Sequence, residues 1–274
     1  MAATFVVVPQ WQGSGSTRAM RLIDGAEAVR GDLPASATRV VEVPAGAGEA
    51  LDTGVHRYSS ITAVAEALDA ELASIDGVPV VIGGDCGVEF AAVRHAVRRT
   101  PGPVALVWFD AHPDLNTPES SPSGAFHGMV ARALLGDGPA GLVEAPALSA
   151  GSLVLAGTRA LDDAEAEFIS ENGVALVPPG DLTPEALAEA VRATGARSVY
   201  LHVDLDVLDP AEIEGVAFPE PFGVGVATLV ESIRALRAEF DLVGAGITEF
   251  APSAPDAAVA DLPAILRIIS ALVR

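Results

Sequence analysis

Cysteine occurs once in these 274 residues, at Cys86. No disulfide can form within the chain, which suits a reducing cytoplasm and leaves a single thiol to be explained by its own chemistry. Cationic residues are scarce as well. Lys and Arg number 16 against 37 Asp and Glu, for a formal net charge of -21. A surface of that sign repels phosphate backbones and anionic bilayers, so neither nucleic acid nor a membrane is an expected partner. The simplest reading of the excess is solubility. The segment after Met1 lacks the basic stretch, apolar region and cleavage site of an export signal, so a cytoplasmic location is expected. No uninterrupted apolar run approaches the ~20 residues that a membrane helix needs. Aromatic residues make up only 5% and carry no functional signal, but half the chain is hydrophobic. That is enough for a full-sized core, and the expectation is a single domain over residues 1–274.

Short β-branched runs alternate with longer helical patterns. Strands are expected over Thr4–Pro9, Val40–Pro44, Val78–Asp85, Val104–His112, Leu153–Arg159, Val174–Val177, Val199–Asp206 and Val243–Phe250. Several are apolar at every position, as parallel strands covered on both faces must be. Helices are expected over Ser60–Ile75, Glu89–Arg99, Pro184–Thr194, Ala227–Phe240 and Leu262–Val273. Thr183-Pro184-Glu185 reads as an N-cap with proline in the first helical position. The alternation predicts an α/β fold with a mainly parallel sheet between helices. Residues Thr117–Gly124, rich in Ser and Pro, read as an ordered surface loop.

Three expected strands end in groups that a core does not tolerate. They read Gly83-Gly84-Asp85-Cys86, Asp110-Ala-His112-Pro-Asp114 and His202-Val-Asp204-Leu-Asp206-Val-Leu-Asp209-Pro210. A fourth ends in Thr248-Glu249. Ligand sites in open parallel sheets form at the carboxyl ends of the strands, so these groups point to one place. The i, i+2 spacing of Asp110, His112 and Asp114, and of Asp204 and Asp206, would put each set on one face of extended chain. Five such groups on one rim need a cation. Carboxylates with one imidazole suit Mn²⁺, and four carboxylates exceed the needs of one ion, so a pair ~3.5–4 Å apart is expected. Turn-capping is the plain alternative and is preferred for Asp209. Asp85 fits either a cap or a supporting role behind the ligands. Gly83 and Gly84 read as turn glycines, and His56 and His95 as surface residues in helical patterns. His202 receives no assignment.

At these residues the chain resembles the arginase family, the ureohydrolases, whose pattern runs Gly-Gly-Asp-His, Asp-Ala-His-x-Asp and Asp-x-Asp-x-x-Asp-Pro. The resemblance extends from about Val78 to Pro252. It implies a three-layer α/β/α sandwich with an eight-stranded, mainly parallel sheet, two Mn²⁺ per subunit, and cleavage of a guanidino C–N bond. It implies Asp110, Asp114, Asp204 and Asp206 as carboxylate ligands and His112 as the imidazole ligand of the second metal. Cys86 stands where the family has the histidine of the first metal, and is the main departure. His127 matches a proton-shuttling histidine, with Asp114 sharing the proton transfer. Glu249 matches a glutamate that pairs with the guanidinium. Asn116 and Ser123 match residues on the substrate's α-carboxylate, and Asp162 and Glu165 those on its α-amino group. The substrate so implied is a small guanidino amino acid. A thiolate ligand would lower the Lewis acidity of the first metal and favour a less basic, N-hydroxylated guanidine. This variant pattern resembles family members acting on Nω-hydroxy-L-arginine, with L-ornithine and hydroxyurea as products. Arginine itself, and a binding protein that has lost catalysis, are the alternatives. Phe218 replaces a small hydroxyl residue common in arginases. Family members often form trimers or hexamers, so a homo-oligomer is left open.

Overall fold

The computed structural model describes residues 3–274 other than 144 and 146. Eight strands form one sheet: β1 (Ala3–Val8), β2 (Thr38–Val40), β3 (Val78–Gly83), β4 (Val104–Phe109), β5 (Leu153–Ala156), β6 (Ala175–Val177), β7 (Ser198–Asp204) and β8 (Asp241–Thr248). Their order is β2-β1-β3-β8-β7-β4-β5-β6, and every pairing is parallel. Parallel neighbours need crossovers, and helices supply them. They are α1 (Arg21–Gly31), α2 (Tyr58–Leu72), α3 (Glu89–Arg99), α4 (Val130–Leu134), α5 (Asp163–Asn172), α6 (Pro184–Ala193), α7 (Val226–Glu239) and α8 (Ala258–Val273).

Alternation along the strands divides the interior in two. Phe5, Val7, Val80, Ile82, Val107 and Leu201 face one layer, against α1, α6, α7 and α8. Val6, Val8, Val81, Leu106, Trp108 and Tyr200 face the other, against α2, α3 and α4, with α5 at its margin through Phe168 and Ile169. The central β4 and β7 are buried at every residue; β4 is apolar throughout, whereas β7 carries Ser198, Tyr200, His202 and Asp204 at alternate positions. The α/β/α sandwich and its eight-stranded parallel sheet agree with expectation. No helix of the described residues is long and apolar enough to cross a membrane.

Local departures have identifiable causes. β2 lies two residues earlier than expected, paired to β1 over Thr38–Val40, and the Val-rich run after it is irregular. The helix α1, absent from the expected set, has the sequence RLIDGAEAVRG, where two glycines dilute the pattern. α8 begins four residues before Leu262 and carries Pro263 within its first turns. His95, expected at the surface, is buried in α3 with 5% exposure, its Nδ1 3.7 Å from Asp69 Oδ1 of α2. His56 is exposed and precedes α2.

Candidate metal centre and active site

The carboxyl ends of β3, β4, β7 and β8 lie side by side in the middle of the sheet, and the polar groups at the expected strand ends project from them or from the turns that follow; Asn116, Ser123 and His127 follow β4, and Asp162 and Glu165 follow the neighbouring β5. The strands stop sooner than their sequences suggest. β4 ends at Phe109 and β7 at Asp204, so Asp110 to Asp114 and Asp206 lie in turns, not in extended chain. Convergence therefore does not come from strand alternation. Side chain to backbone bonds produce it: Asp110 Oδ1 accepts from the His112 amide at 2.6 Å, and Asp204 Oδ1 from the Asp206 amide at 2.8 Å. Such bonds bend the chain back on itself and turn successive polar side chains inward.

Two backbone positions carry the same signature. Asp114 has φ +53° and Glu249 φ +64°, left-handed values uncommon outside glycine. Each is held by a backbone bond, Arg132 N to Asp114 O and Glu249 N to Gly84 O. Gly84 is required where it stands, because a Cβ there would meet the Gln10 carbonyl oxygen at 1.6 Å.

The donors form two groups sharing Asp110. His112 Nδ1 lies 3.0 Å from Asp206 Oδ2 and 3.5 Å from Asp110 Oδ1. Deeper in, Cys86 Sγ donates to Asp204 Oδ2 at 3.1 Å and lies 3.2 Å from Thr248 Oγ1. In that inner group the donor atoms of Cys86, Asp110, His202 and Asp204 all fall within 4.8 Å of one another. His202, unassigned from sequence, thus belongs to the cluster. Asp114 is in neither tight group, but it lines the same cleft, and its buried Oδ2 has no hydrogen-bond partner among the described residues.

These side chains suit a divalent cation. Burial, then repulsion from neighbouring carboxylates, pushes Asp114 and Asp204 well above the usual range and Asp206 to about 6. Burial and the surrounding carboxylates also push the Cys86 thiol up. Burial opposes charge on His112 too, but its bonds to Asp110 and Asp206 prevail and raise it to about 12. Asp110 is lowered despite burial, by hydrogen bonds to His112 and His202. So many buried acids with an orphaned oxygen among them are a poor structural solution by themselves, and a cation at their centre reverses each repulsion.

Above this cluster opens a cleft of about 380 Å³. His127 and Glu249 form one wall, with His127 Nδ1 3.4 Å from Glu249 Oε1 and the Gly15 amide donating to His127 Nε2 at 3.2 Å. The contact with Glu249, with the added charge of Asp85, raises the His127 pKa against the effect of burial. Glu249 Oε1 also accepts from the Cys86 amide, while Oε2 is buried and unpartnered among the described residues. Phe218 packs between the two histidines, its ring centre 5.2 Å from that of His127 and 6.5 Å from that of His112. Asn116, Ser123, Asp162 and Glu165 line the outer part. Asn116 Nδ2 donates to Asp162 Oδ2 at 2.7 Å. Asp162 and Glu165 form a reciprocal capping box at the start of α5, and burial raises Glu165 to about 7.

Two further groups support the site: Asp85, which the sequence leaves open between a cap and a supporting role, and Arg159. Asp85 is a cap: it accepts from the Gly87 and Gly13 amides and from Gln10 Nε2, and burial raises it to about 6. It thereby ties the loop after β1 to the turn that carries Cys86. Arg159 donates to six backbone carbonyls, those of Gly157, Asp206, Val207, Leu208, Glu220 and Pro221. It fastens three loops around the cleft.

Residues 18–269 match the model of the arginase family. The chain is 32% identical over 198 residues to an arginase of Staphylococcus aureus, an alignment covering 68% of this chain and 64% of that protein. The match thus spans just under two thirds of that relative's length. It is 31% identical over 212 residues to the N(omega)-hydroxy-L-arginine amidinohydrolase of Streptomyces lavendulae, covering 77% and 74%. The fold matches the crystal structure of Entamoeba histolytica arginase in complex with L-ornithine, with TM-score 0.86, 22% identity, and coverage of 98% and 97%.

Proposed function

The chain belongs to the arginase family, and from that premise we propose that it is a manganese-dependent amidinohydrolase that cleaves Nω-hydroxy-L-arginine to L-ornithine and hydroxyurea. The observation that carries this reading is the inner donor group, where a buried thiol takes the place of an imidazole beneath a cleft otherwise furnished for a guanidino amino acid.

Asp110, His112, Asp114, Asp204, Asp206 and Cys86 would hold two Mn²⁺. When bound, the ions would supply a water activated at neutral pH and a positive field at the reacting carbon. The chain's own groups do the rest. Glu249 keeps Oε2 free toward the cleft while Oε1 is fixed by the Cys86 amide, so one oxygen can pair with a guanidinium edge without reorganising. His127 donates through Nδ1 toward Glu249, and its raised pKa suits it to deliver a proton to the leaving ornithine amine. Asp114, whose Oδ2 has no hydrogen-bond partner among the described residues and which lines the cleft, is the second proton carrier. At the mouth, the exposed hydroxyl of Ser123 and the Asn116 amide would bind the α-carboxylate. Asp162 and Glu165 retain acceptor capacity beyond their capping bonds and would take the α-ammonium group. Phe218 shields the side of the cleft between His127 and His112 from water.

Arginine is the second reading, favoured by the identity to an arginase, which matches that to the hydroxyarginine enzyme within one percentage point. With Mn²⁺ present, turnover of hydroxyarginine is expected to exceed that of arginine, with hydroxyurea and ornithine formed in equal amounts. Faster cleavage of arginine would reject the first reading, and binding of both without turnover would reject catalysis. Cys86→His is expected to strengthen Mn²⁺ retention and raise arginine cleavage. An unchanged substrate ratio would remove Cys86 from the account of specificity.

A further inference from the structure

Beneath the cleft, three buried groups have no place in the reaction described above. His202 and Glu89 are 0% exposed, and among the described residues neither His202 Nδ1 nor either Glu89 oxygen has a hydrogen-bond partner. The third group is Trp108, whose ring stacks on that of His202 with centres 3.5 Å apart. Polar groups left unsatisfied in an interior cost of order 1–3 kcal/mol each, so their retention needs a cause.

Their arrangement supplies one. His202 stands two residues before Asp204 on β7, so both side chains leave the same face of the strand. The ring is oriented along a line. Nδ1 faces Glu89 Oε2 at 3.7 Å, and Nε2 faces the metal cluster, 3.8 Å from both Asp110 Oδ2 and Cys86 Sγ. For a tetrahedral ion such as Zn²⁺, with metal–nitrogen and metal–sulfur bonds of ~2.1 and ~2.3 Å, neighbouring donors lie about 3.4–3.7 Å apart. The observed spacings are close to that range. On the far side, Gly246 of β8, register partner of His202, makes room for the carboxylate: a Cβ at 246 would meet Glu89 Oε1 at 1.8 Å. A carboxylate behind an imidazole whose other nitrogen faces a metal position is the arrangement that fixes ring orientation and tautomer in histidine–metal sites.

We infer that His202 supplies the imidazole that Cys86 has displaced, so that the inner ion would be held by Cys86, Asp110, His202 and Asp204, with Glu89 orienting the His202 ring. The histidine has not been lost from this half of the centre. It has moved from the β3 turn to β7, and the thiol occupies the vacated corner. His202 is a ligand in this account and Glu89 a positioning residue. The inference rests on the metal-centre reading above but not on the identity of the substrate.

The test counts ions, not turnover. Apoprotein is dialysed against Mn²⁺ or Co²⁺, bound metal is measured by mass spectrometry, and affinities are measured by calorimetry. Wild type is expected to hold two ions, with a near-ultraviolet thiolate band in the Co²⁺ form. His202→Ala should keep one tightly held ion, and the other should bind at least tenfold more weakly. Glu89→Gln should retain both, with the weaker affinity reduced about 10–100-fold, as for other residues behind a ligand. Wild-type affinities and an unchanged Co²⁺ spectrum in His202→Ala would overturn the inference and leave His202 as a packing partner of Trp108. Because a buried substitution can impair folding, the wild-type holoprotein labelled with ¹⁵N-histidine gives a second reading by pulsed electron resonance. Couplings to two imidazoles are expected, and couplings to His112 alone would refute the ligand. If wild type binds neither metal, the metal-centre reading itself falls, a result distinct from either.

Discussion

A cleft of about 380 Å³ opens at the carboxyl ends of the strands, and another of about 420 Å³ opens at their amino ends. The second is the larger, and it too is lined by ionisable groups, among them Asp76, His95, Arg99, Arg197 and Asp241. The two differ in how those groups are satisfied. At the amino ends Asp76, Arg99, Arg197 and Asp241 are exposed to water, and only His95 is buried. At the carboxyl ends Asp110, Asp114, Asp204, Asp206 and Glu249 are all at most 4% exposed, and two of them keep an oxygen without a partner. A hole in a protein is ordinary. Buried charge without internal compensation is what marks the functional end, since folding alone would remove it.

That contrast can be tested by perturbing each end in turn. At the carboxyl end, His127→Asn is expected to lower kcat by on the order of 10²–10⁴-fold with KM nearly constant, the signature of a lost proton carrier. Release of ornithine under saturating substrate measures it, and a variant that kept wild-type kcat would deprive the cleft of its shuttle. Removal of divalent metal by chelation should abolish turnover and lower the melting temperature. Mn²⁺ at about a hundred times its Kd should restore activity and about 2.7 kcal/mol of stability, read by calorimetry. Next in size, Asn116→Ala and Ser123→Ala should each raise KM by about tenfold or more while sparing kcat, because a hydrogen bond to a charged group contributes about 1.5–3 kcal/mol to binding. Equal loss in kcat would move these residues from the mouth of the cleft into the chemistry.

At the amino end the expected effects are smallest and fall on stability alone. Burial lowers the His95 pKa below its ordinary value of 6.5, outweighing the opposite pull of Asp69. Below that value the unfolded chain takes up the proton more readily than the folded one, so stability declines as pH falls from about 6.5 and is unaffected at higher pH. His95→Gln should flatten this part of the urea-denaturation profile and leave turnover untouched. A changed kcat would mean that the two ends communicate.

The contrast also explains what could be read from the sequence and what could not. Asp110, His112, Asp204 and Asp206 were visible because carboxylates and imidazoles interrupted apolar runs, and the central strands because nothing did. The cause first assigned to their convergence was wrong, since turn geometry escapes a rule of alternation once the strand has ended. His202 was hidden by the same apolar context that revealed the others. It sits inside a strand of buried residues, and only its two-residue offset from Asp204 pointed to the site. The contributions of Gly13 and Gly15 were invisible too, being backbone amides of a loop far from the site in sequence. α1 failed on local grounds, because tertiary packing, not periodicity, makes it helical.

Arg159 has a final consequence. Its partners are carbonyl dipoles, not carboxylates, and its guanidinium is half-buried among them. Mobile ions screen pairs of net charges at the surface far more than a cation enclosed by neutral oxygens. In strong brine the repulsion across this very acidic exterior would fade, while the frame around the active cleft would keep its shape. Lysine could not substitute here, since a single ammonium with three donors cannot span the loops that one planar fork secures.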